Sequence, residues 1–512
     1  MIIYGLSIVM PILIGVLGSF LNKCFKKIYV VLQFYFLGLG VYLYAFNING
    51  EFVFGHKNAA LGISLMIDKF SSAFLIVFSI FMICIGLFEW EKIMEKPKKV
   101  FFIYLLEGIF VAFLWSNDLF NIFVLIEAIT LISSILIVIE KKAKAMKAAV
   151  FYLLFNSFSI FLFLIGIIWL YNYTGYLSIP LVKSAISEMP KDMLKPAFAL
   201  MMTSLGIKSA VFPLYTWLPR AHSVARTSVS ALLSGILVKT GLYAFVKIYN
   251  MFNIEESVYI FIVIGGFTAI LGAVMAIKEI NIKKICAFST VSQLGWMITG
   301  FVLMGSGKIG GELFMFNHAI FKGALFLTAG IFVYYFETKD IRKMRGILKG
   351  DFKLAIPYII FLFAIMGFPI LGGYTGKALI LKAVGFNYFF KVLFEFAAFL
   401  TIVCFAKLFF ILFGKKAEIK KISKKKYLAL YIMAIVLIVN GVYLNGFYAN
   451  IGFIVTLKGL LKWFLEFAAG LFLVKFLIQP FEDKLIKINY EMGFETAMIS
   501  AFAYFTLLIC FI

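Results

Sequence analysis

The sequence predicts an all-α polytopic membrane protein with about 14–16 transmembrane helices. Three observations predict it. The chain has 512 residues, 63% of them hydrophobic, and a mean hydropathy of +1.03, well beyond the roughly 45–50% apolar content of soluble domains. Apolar runs of roughly 20 residues, long enough to cross a bilayer, recur from one end of the chain to the other. No stretch between them is long enough for a soluble domain. Met1 opens directly into an apolar run with no basic segment before it, so no cleavable signal peptide is expected.

Sixteen spans are expected, near residues 2–21, 28–46, 64–88, 100–115, 119–139, 147–171, 197–217, 228–249, 257–277, 286–304, 311–335, 353–385, 390–413, 427–447, 459–478 and 494–512. Lys462, Glu466 and Lys475 interrupt the fifteenth. Loops after odd-numbered spans are basic: KCFKK (23–27), KPKK (96–99), EKKAKAMK (140–147), the 339–353 stretch and KKAEIKKISKKK (415–426). They hold roughly 31 Lys and Arg, against roughly 6 in the even-numbered loops. The positive-inside rule then makes the odd loops cytoplasmic and places both termini outside the cell membrane. One span too many or too few would break this alternation.

Two spans carry internal breaks. Pro213 follows Lys208 by five residues in the seventh, and Gly367, Pro369, Gly372 and Gly373 precede Lys377 in the twelfth. Pro removes a backbone donor and Gly loosens a helix. Freed carbonyls at membrane depth are tolerated only where protein or a wet cavity satisfies them. The breaks lie five spans apart, and a five-span unit repeated once comes out inverted. The expected organisation is N-terminal peripheral helices (1–99), two inverted five-helix repeats (helices 4–8, 100–250; helices 9–13, 257–413) and C-terminal peripheral helices (427–512).

Five ionisable residues sit near the middle of apolar spans: Glu127, Lys208, Lys239, Lys322 and Lys377. A charge at mid-bilayer costs at least roughly 2.5–3.5 kcal/mol. Such residues must be paired or hydrated, and an ion or proton path is the leading reason to place them there. The net charge of +23 does not point to nucleic acid, because Lys and Arg follow the topology pattern. The five cysteines (Cys24, Cys84, Cys286, Cys404, Cys510) stand far apart with no CxxC, which argues against an iron–sulfur or zinc site. Three histidines, His56, His222 and His318, offer no haem pair. There is no Gly-rich dinucleotide fingerprint. No cofactor and no metal are expected.

Several motifs in fixed order resemble the antiporter-like subunits of respiratory complex I, of Mrp-type cation/proton antiporters (D-type) and of membrane-bound energy-converting hydrogenases. They are NDLFNIFVLIEAITLISSILI (117–137), GIKSAVFPLYTWLPRAHSVARTSVSALLSGILVKTGLYAFVKI (206–248), KKICAFSTVSQLGWM (283–297), FNHAIFKGALFLTAG (316–330), DIRKMRG (340–346) and GFPILGGYTGK (367–377). The resemblance covers roughly residues 60–450. It implies that Glu127 is the fifth-helix glutamate that pairs with a seventh-helix lysine. Lys208 matches that lysine, the proton carrier of the first half. Lys239 matches the connecting lysine or histidine of the eighth helix. Lys322, with His318 one turn before it, matches the central lysine of the second half, and Lys377 the terminal lysine or glutamate of the broken twelfth helix, near the exit. It also implies partners: other membrane subunits, including similar antiporter-like ones, with Glu127 facing a neighbour's terminal lysine and a peripheral redox module carried elsewhere. The chain departs from the family pattern at Arg226-Thr227-Ser228, where a Pro-Thr-Pro-like run is usual, at Arg220, often acidic, and at Phe314, which can be His. Residues 459–512 are too short for the lateral helix of some relatives and read as two further spans.

The proton chemistry is simple. A lysine with a solution pKa of about 10.4 loses up to about 3–5 units in full desolvation. A carboxylate at roughly 5 Å, in an effective dielectric near 20, returns about 3 kcal/mol. Movement of Glu127 against Lys208 is therefore the expected switch between holding and releasing a proton. His318 and Lys322, four residues apart, share a helix face and can pass a proton directly or through one water. The alternatives are structural: a static Glu127–Lys208 pair, Lys239 snorkelling to the interface, a satisfied His318–Lys322 cluster, and Lys377 capping a helix break. Glu107 in the fourth span is a candidate proton-intake residue. Glu395 and Lys407 in the thirteenth are candidates on the outlet, with snorkelling to opposite interfaces as their bland reading. Ser204, Ser209, Ser234, Thr240, Ser289, Ser292 and Gln293 are candidates for lining a wet path or for gluing helices. The expected function is proton translocation by a non-redox subunit that partners drive; sodium/proton exchange is the alternative.

Overall fold

The computed structural model describes residues 2–18, 25–56, 58–91, 97–139, 142–444, 448, 455–481 and 492–511. Cys24, parts of the basic loops at 23–27, 96–99 and 140–147, and the ends of the first, fourteenth and sixteenth expected spans lie outside the described residues. In chain order the elements are α1 (Ile2–Gly18), α2 (Phe25–Ala45), β1 (Gly50–Phe54), β2 (Ile63–Ile67), α3 (Lys69–Phe88), α4 (Pro97–Trp115), α5 (Leu119–Val138), α6 (Ala143–Thr174), α7 (Ile179–Ile186), α8 (Lys191–Lys208), α9 (Trp217–Val224) and α10 (Thr227–Leu232). A π-helical turn (Leu233–Leu237) joins α10 to α11 (Val238–Phe252). Then come α12 (Ser257–Lys278), α13 (Ile282–Val302), α14 (Ser306–Phe336), α15 (Ile347–Gly350), α16 (Phe352–Met366), α17 (Gly372–Val384), α18 (Tyr388–Phe409), α19 (Lys424–Val439), α20 (Leu457–Leu473) and α21 (Phe494–Phe511).

Among the described residues, eleven helices are long and apolar enough to cross a membrane, and three more apolar helices run 10–17 residues. The seventh and fifteenth expected spans, α8 and α20, fall outside that set. The first carries four charges, Lys191, Asp192, Lys195 and Lys208, and the second runs 17 residues with Lys458, Lys462 and Glu466 among them. The chain is an all-α polytopic membrane protein.

Two differences from expectation have physical causes. Residues 63–67, expected as the start of the third span, form a strand paired antiparallel with 50–54. The helix starts at Lys69 because Asp68 closes a capping box: it accepts from the Ser71 N–H at 2.7 Å while the Ser71 hydroxyl accepts from the Asp68 N–H at 2.9 Å. The seventh helix stops at Lys208, five residues before Pro213: Ala210 turns left-handed (φ +50°), and the Phe212–Pro213 peptide is cis. The twelfth span divides at Gly367 (φ +77°), as its glycines predicted.

The chain forms two compact units. The first holds Met1–Ser209, Leu237–Ser257 and Phe494–Ile512; the second holds Ala210–Ile236 and Val258–Gly493. In the first, α1 packs on α4, α2 on α3, and α6 on α8. In the second, α14 packs on α13 and α17, and α18 on α20. The run 227–252 and α13 are buried along their membrane-length windows, whereas α2, α19 and α21 bury a third of theirs or less. An apolar helix hidden on every face belongs to a bundle interior.

Candidate functional site

In the first unit the helix end at Lys208 organises the polar residues. Lys208 is 3% exposed. Its ammonium donates to the hydroxyl of Thr130 on α5 and lies 5.6 Å from the ring centroid of Tyr152. Glu127, one turn before Thr130, is half-buried. One of its oxygens accepts from the Ser157 hydroxyl at 2.6 Å, and the other is shielded from solvent with no hydrogen-bond partner. Lys208 thus binds the hydroxyl next to the carboxylate rather than the carboxylate itself. The hydroxyls of Thr203 and Ser209 are likewise buried without a partner. Such orphaned groups suit contact with water. Lys239 is fully buried on α11, two residues past the π turn. A methyl group on Gly241 would stand 2.8 Å from the carbonyl carbon of Lys208 and from the Ser209 N and Oγ. Only a glycine lets α11 come this close to the end of α8.

In the second unit Lys322 is fully buried on α14. It donates to the Cys286 carbonyl at 3.0 Å and to the Ser289 hydroxyl, and lies 5.3 Å from the Phe405 ring centroid. Thr290 also donates to the Cys286 carbonyl (2.8 Å) and shares a 2.9 Å hydrogen bond with Ser234 in the π turn. A hydrogen-bonded run therefore leads from Ser234 to Lys322. His318, also fully buried, meets Phe314 edge-on at 6.2 Å. Phe314 in turn lies under Lys377, 5.3 Å from ring centroid to ammonium, with Trp296 at 5.4 Å. Lys377 donates to the Ile365 carbonyl in the last turn of α16 at 3.1 Å. It caps the helix break, the structural alternative for this residue, and remains 95% buried beside the second lysine of its unit.

Of the sequence candidates, Glu127, Lys208 and Lys239 belong to the first unit, and His318, Lys322 and Lys377 to the second. Ser204 and Ser292 glue helices: Ser159 donates to the Ser204 carbonyl at 2.7 Å, and Ser292 to that of Ala269 at 2.7 Å. Thr240 bonds back to Leu237, and Gln293 reaches Thr401 at 3.3 Å. Glu395 is partly exposed and pairs with Lys462 at 3.3 Å. Lys407 does not snorkel. It is 1% exposed and donates to the carbonyls of Ile277 (2.9 Å) and Glu279 (2.8 Å), at the C-terminal end of α12. Lys247, which sequence reasoning passed over, does the same at the end of α4, reaching Leu114 (3.2 Å) and Ser116 (2.6 Å). Thr130 and Ser157 were missed too; their only signal was helical spacing from Glu127 and from the polar face of the sixth span.

Comparison with known proteins places this arrangement. Residues 116–403 match the family model described as NADH:quinone oxidoreductase/Mrp antiporter, TM. The chain is 31% identical over 339 residues to the D-type subunit of the Na(+)/H(+) antiporter of Alkalihalophilus pseudofirmus, a stretch covering 64% of this chain and 69% of that protein. Two solved structures share the fold. One is a chain of the membrane-bound sulfane sulfur reductase, an archaeal respiratory membrane complex (TM-score 0.81, 21% identity, 92% of this chain and 97% of that one). The other is a chain of the Mrp complex of a Dietzia species (TM-score 0.79, 20% identity, 95% and 100%). With the family's motifs in order and more than half of its length matched, the chain belongs to the NADH:quinone oxidoreductase/Mrp antiporter transmembrane family.

Proposed function

We propose that this chain is the proton-translocating, antiporter-like membrane subunit of a multisubunit energy-converting complex. One observation carries the reading. Lys208, at the end of α8, and Lys322, within α14, are both buried, and among the described residues each binds a hydroxyl and no carboxylate. A permanent buried charge calls for a counter-ion; an amine that trades protons with neighbours and water does not need one at every moment. In this reading Lys208, modulated by Glu127, passes protons through Lys239 to Lys322 and His318, and Lys377 hands them on. In the same reading the half-buried Glu127 faces a neighbouring antiporter-like subunit. Redox or exchange chemistry belongs to partner subunits.

Matched devices support two inverted repeats. Asp118 caps α5 and its backbone bridges to Ser178, four residues past the end of α6; Asn281 caps α13 and bridges to Asp340, four residues past the end of α14. Both of those long helices end on a left-handed residue, Gly175 or Glu337. Lys247 and Lys407 clamp the ends of α4 and α12 in the same way. The loop charges support cytoplasmic odd loops and external termini in the cell membrane.

The name of the Alkalihalophilus relative favours a second reading, sodium/proton exchange. Inverted membrane vesicles carrying the assembled complex separate the two. Proton movement independent of sodium supports the first reading; movement that stops when sodium is removed overturns it in favour of the second.

A further inference from the structure

A buried polar pair lies outside the lysine series. Glu107 stands at the eleventh of nineteen positions of α4 and is fully buried. One of its oxygens, Oε1, accepts a hydrogen bond from Nε2 of Gln33 on α2 at 2.7 Å. Its other oxygen and the Gln33 Oε1 are both shielded from solvent and both lack a hydrogen-bond partner. Two head groups are already joined on one side, and each presents an acceptor with no donor. Exchanging the amide's O and N leaves the same mismatch, since an oxygen still faces an oxygen.

An ionised carboxylate here would need a cation. Among the described residues no Lys or Arg forms an ion pair with Glu107. The lysines of α2, α3 and α4 (Lys26, Lys27, Lys69, Lys98 and Lys99) sit in first turns, and Lys247 of α11 is held at the far end of α4 by the Leu114 and Ser116 carbonyls. The titratable groups near it are Tyr29, whose hydroxyl is spent on the Met82 carbonyl at 2.6 Å, Tyr104 stacked edge-on against Tyr29, and Cys84 on α3. None is basic. A buried carboxyl without a counter-ion neutralises instead, and a proton would give the unpartnered Glu107 oxygen a hydrogen to donate.

We propose that Glu107 and Gln33 form a head-to-head carboxylic acid–carboxamide pair, with Glu107 holding an exchangeable proton at membrane depth. The acid O–H donates to the Gln33 carbonyl while the Gln33 N–H donates to the acid carbonyl. Release of the proton leaves a carboxylate still held by the amide N–H. Only the proton's role in transport rests on the function proposed above; the protonation state does not.

The test is infrared spectroscopy of the complete complex in membranes, with Glu107→Gln and Gln33→Leu variants. Glu107→Gln keeps an amide–amide pair of the same shape, so the helices stay joined. The expected result is a buried carboxylic-acid C=O band at neutral pH that vanishes in Glu107→Gln and shifts in Gln33→Leu. Proton transport in Glu107→Gln should fall by about a hundredfold. No acid band at neutral pH, or a band bleached by added sodium, overturns the protonated pair, the latter in favour of a cation site. Transport unchanged in Glu107→Gln overturns its carrier role. If Lys208→Ala leaves transport intact while the acid band is present, the lysine relay fails and the acid–amide pair stands.

Discussion

Thr130 and Ser289 hold the two central amines, Lys208 and Lys322. A hydrogen bond to a charged group is worth about 1.5–3 kcal/mol, and each 1.4 kcal/mol is about a factor of ten. Thr130→Val keeps the shape and removes the acceptor, so proton transport should drop about tenfold or more. Thr130→Ser should retain it. A pH-sensitive dye in inverted vesicles reads both. Phe314 separates His318 from Lys377 with a ring that cannot carry a proton. Phe314→His places a titratable ring there. In a His318→Ala background it should recover part of the lost transport, whereas Phe314→Leu should recover none. Equal rates in the two double variants would exclude a relay along this face.

Helix ends and close approaches position these residues. Lys247 and Lys407 look like intramembrane charges in the sequence, yet they serve as clamps on the carbonyls that end α4 and α12. Lys247→Met or Lys407→Met should destabilise the folded chain by about 1.5–3 kcal/mol, seen as a lower melting temperature of the purified complex. Transport per assembled complex should stay near the parent's, unlike Lys208→Ala. The broken helices depend on glycine. A methyl group on Gly373 would meet the Ala364 carbonyl oxygen at 1.9 Å, and one on Gly241 would meet the backbone at Lys208–Ser209 at 2.8 Å. Gly241→Ala and Gly373→Ala should each cost about 1–3 kcal/mol from overpacking and lower the yield of assembled complex. Both breaks were visible from Pro213 and from Gly367–Gly373. The stop at Lys208 itself was not, because it lies in a left-handed Ala210 that no residue preference announces. The 50–67 hairpin was hidden because ISLMI (63–67) is as apolar as the helix that follows it. Lys407 and Lys247 were misjudged or missed because spacing shows depth but not the carbonyl that waits at that depth.

For the whole molecule, hydropathy and loop charge were enough to read the class and the order of spans, since each expected span has its helix. The two compact units were not legible, because their boundary falls inside the seventh and eighth spans, at Ser209 and Leu237, where apolarity does not change. The orientation makes its own prediction. A cysteine at Tyr388, in an even loop, should react with an impermeant thiol reagent on intact cells; one at Lys416, in a basic odd loop, should react only once the membrane is opened. The reverse pattern would turn the chain over. Whether buried amines carry the protons is read from proton transport by vesicles in which the complete complex is assembled with Lys208→Ala or Lys322→Ala. Both variants should assemble normally and transport only at background. Transport at the parent's rate in either variant would contradict proton carriage by these amines and leave the chain a scaffold for its partners.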